Sequence, residues 1–233
     1  MLALEWTNRQ IRVVEGQASG SSIKLSRAFT VEIPDQIDVM DVEAVGSFLR
    51  QKLQAMKIRD RRGVSCIDRR SVVLKVISVG NVSEKELAGL IRLQAMRDLT
   101  LPLEETSVDY VRTTQESPDE SPEAVIAVVR HEIVNTYQTL FKSAGLKLEG
   151  LWPASLAMVR AAFAMIPTLI THSGQEHFLV VPDGDSVELC LLRGTQFVTS
   201  ASRAITRGGD ELAPSDAFLQ TGRRLQASLS GQY

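Results

Sequence analysis

The strongest constraint on this chain is a strand pattern that occurs twice. Three β-type runs over residues 1–5, 10–15 and 22–33, separated by polar turns, open the sequence, and three more over 178–181, 187–192 and 196–205 return near its end. Each set reads as an antiparallel meander. Runs of this kind carry apolar residues on at least one face and need a second layer to cover them. A chain with the same sheet motif near both ends is therefore committed to two sheet-based halves.

The intervening sequence supplies the covering layer. Pro34 stops the third strand, and Asp41 is placed to cap a helix over 41–56, where Val42, Val45, Phe48, Leu49, Leu53 and Met56 fall at helical spacing. The charged turn Arg59-Asp60-Arg61-Arg62-Gly63 leads to a buried strand over 64–67. A strand over 71–79 follows, and the Ser83 and Glu86 pair forms a capping box for a helix over 84–99, which Pro102 ends. Strands over 106–113 and 124–130 flank an acidic Ser/Pro stretch at 115–122. A helix over 132–143 stops at Gly145, and 146–152 is a further strand, which makes a split β-α-β order inserted into the first half. Residues 154–166 are apolar nearly all round, as in a helix buried between layers. A last helix is expected over 216–229.

Composition removes several function classes. In 233 residues, 26 Lys plus Arg stand against 28 Asp plus Glu, a net charge of −2 that builds no field for bulk nucleic acid. Hydrophobic residues are 44% and charged residues 23%, ordinary for a packed, water-soluble chain. No run reaches the roughly eighteen apolar residues that span a bilayer, and the first residues lack a basic, cleavable leader, so a cytosolic protein is expected. Cys66 and Cys190 sit in apolar runs without a Cys-x-x-Cys spacing and read as buried free thiols.

No catalytic constellation can be assembled, so an enzyme is not expected. His172 and His177 flank Glu176, yet their spacing fits neither one helix face nor one strand face, and a solvated loop is expected there rather than a metal site. His131 stands at a helix start. Arg59, Arg61, Arg62, Arg69 and Arg70 gather around one strand, but Asp60 and Asp68 dilute their charge, which points to solvated turns. Trp152 is expected in the core.

The insert carries a more specific likeness. Val82-Ser83-Glu84-Lys85-Glu86-Leu87 leading to Ile91-Arg92-Leu93-Gln94-Ala95, then Leu101-Pro102-Leu103-Glu104-Glu105, Asp109-Tyr110, and Ala127 to Val134 continuing to Ala144-Gly145-Leu146 resemble the type IV pilus assembly protein PilM family. Arg207-Gly208-Gly209-Asp210 is similar to the turn that follows the second meander in that family. The resemblance implies an α/β, actin-like (ribonuclease H-like) fold with an inserted small α+β domain and an incomplete second lobe. The corresponding boundaries are 1–70 for the first lobe, 71–152 for the insert, 153–170 for the returning helix and 171–233 for the partial second lobe.

The same resemblance implies a cytoplasmic scaffold under the inner membrane, serving a type IV pilus or type II secretion platform. Its partners would be the tail of a PilN-like inner-membrane protein and other platform proteins, with a homo-oligomer left open. The tail would lie in a groove between the insert and the first lobe, near Leu74, Val76, Leu87, Leu90 and Ile91. Two turns of the family cradle the phosphates of ATP with an Asp-x-Gly pattern, in which the carboxylate faces Mg²⁺. Here Glu5-Trp6-Thr7 stands at the first turn, and Asp183-Gly184 matches the second only with a shift, while Gly208 and Gly209 fall in the later turn. Degraded nucleotide loops are expected, with no cofactor or at most weakly held ATP and Mg²⁺. An active actin-like ATPase and the cytoplasmic part of a GspL-type secretion protein remain the alternatives.

Overall fold

The computed structural model describes residues 1–19, 22–98, 102–113, 121–166, 176–183, 186–204 and 222–223. The chain divides into two compact units, Met1–Ile67 with Arg130–Trp152, and Asp68–Val129 with Pro153–Tyr233.

The first unit is built on a five-stranded sheet of order β3-β2-β1-β4-β8. Its strands are β1 (Leu2–Trp6), β2 (Gln10–Ser19), β3 (Ser22–Glu32), β4 (Arg62–Ile67) and β8 (Lys147–Pro153). The expected opening meander is present: β1, β2 and β3 pair antiparallel in sequence order, and β4 returns parallel to β1. A parallel return needs a crossover, which the helix α1 (Val42–Ala55) supplies. The Asp41 side chain accepts from the Ala44 amide at 3.0 Å and caps that helix.

Two helices cover this sheet. Val45, Leu49 and Leu53 of α1 pack with Leu140, Phe141 and Ala144, from helix α3 (His131–Ser143) and its C-cap, on Leu2, Leu4, Ile11 and Val13 of the sheet. Their approach is close because α1 carries Gly46: a β-carbon there would stand 2.6 Å from Ser143 Cβ and 2.7 Å from the Leu140 carbonyl oxygen. Gly145 ends α3 at φ 71°, and the Leu146 amide returns to the Phe141 carbonyl at 2.8 Å, closing a Schellman turn that feeds β8.

The second unit holds two three-stranded sheets. One has the order β5-β7-β6, from β5 (Val73–Ser78), β6 (Thr106–Arg112) and β7 (Glu123–Arg130), with β5 antiparallel to β7. Helix α2 (Glu84–Asp98) lies on it through Leu87 and Ile91, packed with Ile77, Val79, Ala124 and Ile126. The other sheet is the expected second meander, β9 (Glu176–Asp183), β10 (Ser186–Arg193) and β11 (Gln196–Ala204), antiparallel throughout. Helix α4 (Ala154–Met165) belongs to the same unit.

Several expectations change. The sequence groups 71–152 as one insert, but α3 and β8 pack with the first unit, because β8 adds to the edge of the sheet beside β4 and α3 buries its apolar face on α1. Such pairing joins residues distant in sequence and leaves no local signal. His177 and Glu176 lie in β9 rather than in a loop, with Glu176 paired to Arg193 at 3.1 Å across the ladder. Trp152 is 41% exposed, near the end of the outermost strand β8. Arg69 is half-buried, with its donors bonded to Ser200 and Val72 rather than solvated, although Arg70 does pair with Asp68 at the surface. His172 and the helix expected over 216–229 lie outside the described residues, apart from 222–223.

The α1–α3 contact predicts its own most sensitive position. Gly46→Ala forces a methyl group against backbone, and is expected to destabilise the protein by about 1–3 kcal/mol in denaturant unfolding without changing the unfolding slope.

Candidate functional site

Two places follow from the sequence, the first turn after β1 and the neighbourhood of α2. At the first, β1 and β2 run antiparallel with Glu5 opposite Arg12 and Trp6 opposite Ile11. Facing residues on neighbouring strands meet, and the Arg12 guanidinium accordingly holds the Glu5 carboxylate, Nη1 to Oε2 at 2.7 Å. Both side chains are half-exposed, so this pair contributes at most about 1 kcal/mol, but it does occupy the acid.

Trp6 turns inward. Its ring meets Tyr137 of α3 edge-to-face, with centroids 5.9 Å apart at 79°, and it packs against the core of the first unit. The indole Nε1 is buried without a hydrogen-bond acceptor.

Thr7 organises the turn itself. Its amide donates to the Gln10 carbonyl at 2.9 Å. Its hydroxyl donates to the same carbonyl at 3.1 Å and accepts from the amides of Gln10 and Arg9 at 3.2 and 3.4 Å. A threonine oxygen that accepts from amides two and three residues ahead is the standard polar closure of a short turn. In consequence two N–H groups between the end of β1 and the start of β2 already have a partner within the chain. Nearby, burial and then the Glu5 carboxylate push the half-buried Cys66 thiol up, which keeps it protonated and unreactive.

Of the other expected loop residues, Asp183 ends β9 with its backbone paired to Ser186. Gly184, Gly208 and Gly209 lie outside the described residues. No cluster of three His, Cys, Asp or Glu side chains able to hold a metal occurs among the described residues.

At the second place the expected partner residues separate into two kinds. Leu74, Leu87 and Ile91 are buried, the last two at 0% and 1% exposure, and Leu87 and Ile91 fasten α2 to its own sheet. Val76 and Leu90 are half-buried. What α2 turns outward is Leu93 and Met96, 66% and 59% exposed, with Arg92 also exposed between the two kinds. The helix is anchored at its start: Ser83 donates its amide and hydroxyl to Glu86 Oε2 at 3.1 and 2.7 Å, and those bonds hold the Glu86 carboxyl below its usual range. Arg112 of β6 pairs with Glu84 at 2.8 Å and donates to the Val82 carbonyl at 2.7 Å. A well-fixed helix thus presents an apolar pair with a cation beside it.

Leu93 and Met96 are the residues that sequence reasoning missed. The signal was available, because they fall off the stripe Leu87, Ile91, Ala95 that the 3.6-residue period assigns to the core.

Comparison with known proteins completes the picture. A family model described as type IV pilus assembly protein PilM matches residues 4–214. A chain of the PilM-PilN type IV pilus biogenesis complex superposes with a TM-score of 0.74 at 21% identity, covering 88% of this chain and 61% of that one. The cytoplasmic domain of EpsL, an inner membrane component of the type II secretion system of Vibrio cholerae, gives 0.52 at 11% identity over 91% of this chain and 79% of its own. A Bacteroides thetaiotaomicron protein of unknown function with an actin-like ATPase fold gives 0.53 at 8% identity over 98% and 76%. The fold is therefore actin-like, as expected, and this chain spans about three fifths of the length of its PilM-PilN relative.

Removing the Thr7 hydroxyl while keeping its shape tests the turn. Thr7→Val is expected to speed amide exchange at Arg9 and Gln10 selectively and to cost about 1 kcal/mol of stability.

Proposed function

Because this chain belongs to the type IV pilus assembly protein PilM family, we propose that it is a non-catalytic actin-like scaffold of a pilus platform that holds the cytoplasmic tail of a PilN-like inner-membrane protein. The observation that carries the reading is the turn after β1. A phosphate-cradling turn offers unpaired amides and lets the backbone approach the anion. Here the amides of Arg9 and Gln10 already donate to the Thr7 hydroxyl, and the acid that would face a metal is paired with Arg12. Trp6 fills the adjoining space against Tyr137. ATP therefore fits this turn poorly, and attachment rather than turnover is the use left to the fold.

For attachment, the outward face of α2 is the favoured seat. Leu93 and Met96 supply apolar area on a helix held at its N-terminus, and Arg92 suits a tail that brings a carboxylate beside apolar anchors. The structural relative from a PilM-PilN complex supports the choice of a PilN-like partner. A position against the inner membrane would follow from that partner; no helix among the described residues is long and apolar enough to cross a membrane. The likeness to the EpsL cytoplasmic domain supports a second reading, the equivalent platform role in a type II secretion system.

Calorimetry separates scaffold from ATPase. Titration with ATP and Mg²⁺ is expected to give no binding tighter than about 1 mM, whereas micromolar binding abolished by Glu5→Ala establishes an active nucleotide site instead. A synthetic tail peptide of the PilN-like protein is expected to bind wild type, and Leu93→Asp to weaken it at least about tenfold, roughly 1.4 kcal/mol. An unchanged affinity in that variant removes the α2 face from the proposal.

A further inference from the structure

In the second unit a carboxyl group is buried in the middle of an apolar strand. Glu188 of β10 is 7% exposed, between Val187 and Leu189 in a strand whose neighbours are almost all buried. It lies where four elements meet. From α4 the Ser155 hydroxyl, fully buried, donates to Glu188 Oε1, and on β10 itself the Cys190 thiol approaches the same oxygen at 3.7 Å. From β11, Ser200 reaches Ser155 Oγ at 3.5 Å. From the 3-10 turn Arg69–Ser71, Arg69 donates Nε to Ser200 Oγ at 2.6 Å, Nη2 to the Ser200 carbonyl at 3.0 Å and Nη1 to the Val72 carbonyl at 2.7 Å.

The titratable groups around the acid are thus Arg69 from the turn and the neutral thiol of Cys190 from its own strand; α4 and β11 bring only the hydroxyls of Ser155 and Ser200. On β9, Val181 is the residue paired with Glu188. Arg69 is the one cation in reach among the described residues, and its donors are turned to Ser200 and Val72, not to the carboxylate. An ionised carboxylate here would be a buried charge without a bonded counter-charge, the costliest state a side chain can adopt. A neutral carboxyl keeps one oxygen free to accept from Ser155 and Cys190, and needs no counter-ion.

We propose that Glu188 is the proton-sensitive pin of a latch: protonated, it lets α4, the Arg69 turn and strands β10 and β11 pack as one block with no buried negative charge, and on losing its proton it places inside that block a charge that its stronger bond from Ser155 does not offset, which loosens the block. Burial pushes its carboxyl up, outweighing the opposing pull of Ser155 and Arg69. The sign follows from linkage. The folded unit binds this proton more tightly than the unfolded chain does, so the contribution is complete below the usual glutamate range and is lost as pH rises through the raised value. The inference concerns the interior of the second unit and does not depend on nucleotide or partner binding.

The test is thermal unfolding of the full chain from pH 5 to pH 9, with hydrogen exchange of residues 154–165 at both ends. Relative to Glu188→Gln, which keeps the shape but cannot titrate, wild type is expected to lose about 3–5 °C in Tm per pH unit over the titration, with faster α4 exchange at high pH. Ser155→Ala removes a donor that favours the charged form, so it is expected to move the transition to higher pH. Should Glu188→Gln fail to fold, that shift and an infrared carboxyl band present at pH 5 and lost on raising pH carry the test. Parallel pH profiles for wild type and Glu188→Gln, an unmoved transition in Ser155→Ala, or an ionised carboxylate already at pH 5 overturns the latch.

Discussion

The backbone donors where β1 turns into β2 must be paired, and how they are paired decides what this fold can do. Strand β1 is the middle of the five-stranded sheet, with β2 and β4 on its two sides, and Leu2 and Leu4 lock it into the core of the first unit. Its end cannot drift, so the turn that follows is held in place by the packing behind it. In a nucleotide-binding turn the amides stay open until an anion arrives. In this chain Thr7 closes them, Arg12 takes the neighbouring acid and Trp6 meets Tyr137 edge-to-face. On the reading proposed above, each of these three features removes something a phosphate or its metal would need.

The two units solve burial differently. The first is an apolar core in which shape does the work: a glycine lets two helices approach, and leucines, isoleucines and a phenylalanine fill the layer between helices and sheet. The second combines an apolar contact under α2 with a polar cluster around Glu188. Polar clusters of that kind add little net stability, since desolvation offsets much of what their bonds contribute. They do restrict which arrangement is allowed, because each member needs its own partner.

Much of the architecture was legible in the sequence. The two meanders follow from period-two runs and turn residues, α1 from its stripe and Asp41 cap, and α2 from the Ser83 and Glu86 box. The placement of α3 and β8 was not, because pairing β8 beside β4 is a long-range event without a local signature. At α2 the apolar period marks which residues face the sheet, so Leu87 and Ile91 were better read as fastening and Leu93 as exposed. Thr7 at the first turn was visible, but the hydroxyl's role depends on where two amides point. Glu188 was visible too, as an acid inside an apolar run, and only its neighbours from three other elements give it meaning.

If attachment in this chain is independent of nucleotide, affinity for the tail peptide of the PilN-like partner should be the same with and without Mg²⁺ and ATP. Fluorescence anisotropy of a labelled peptide measures this directly on the intact protein. The account predicts superimposable binding curves; a shift of about tenfold or more on adding Mg²⁺ and ATP would mean that the turn after β1 still answers to phosphate.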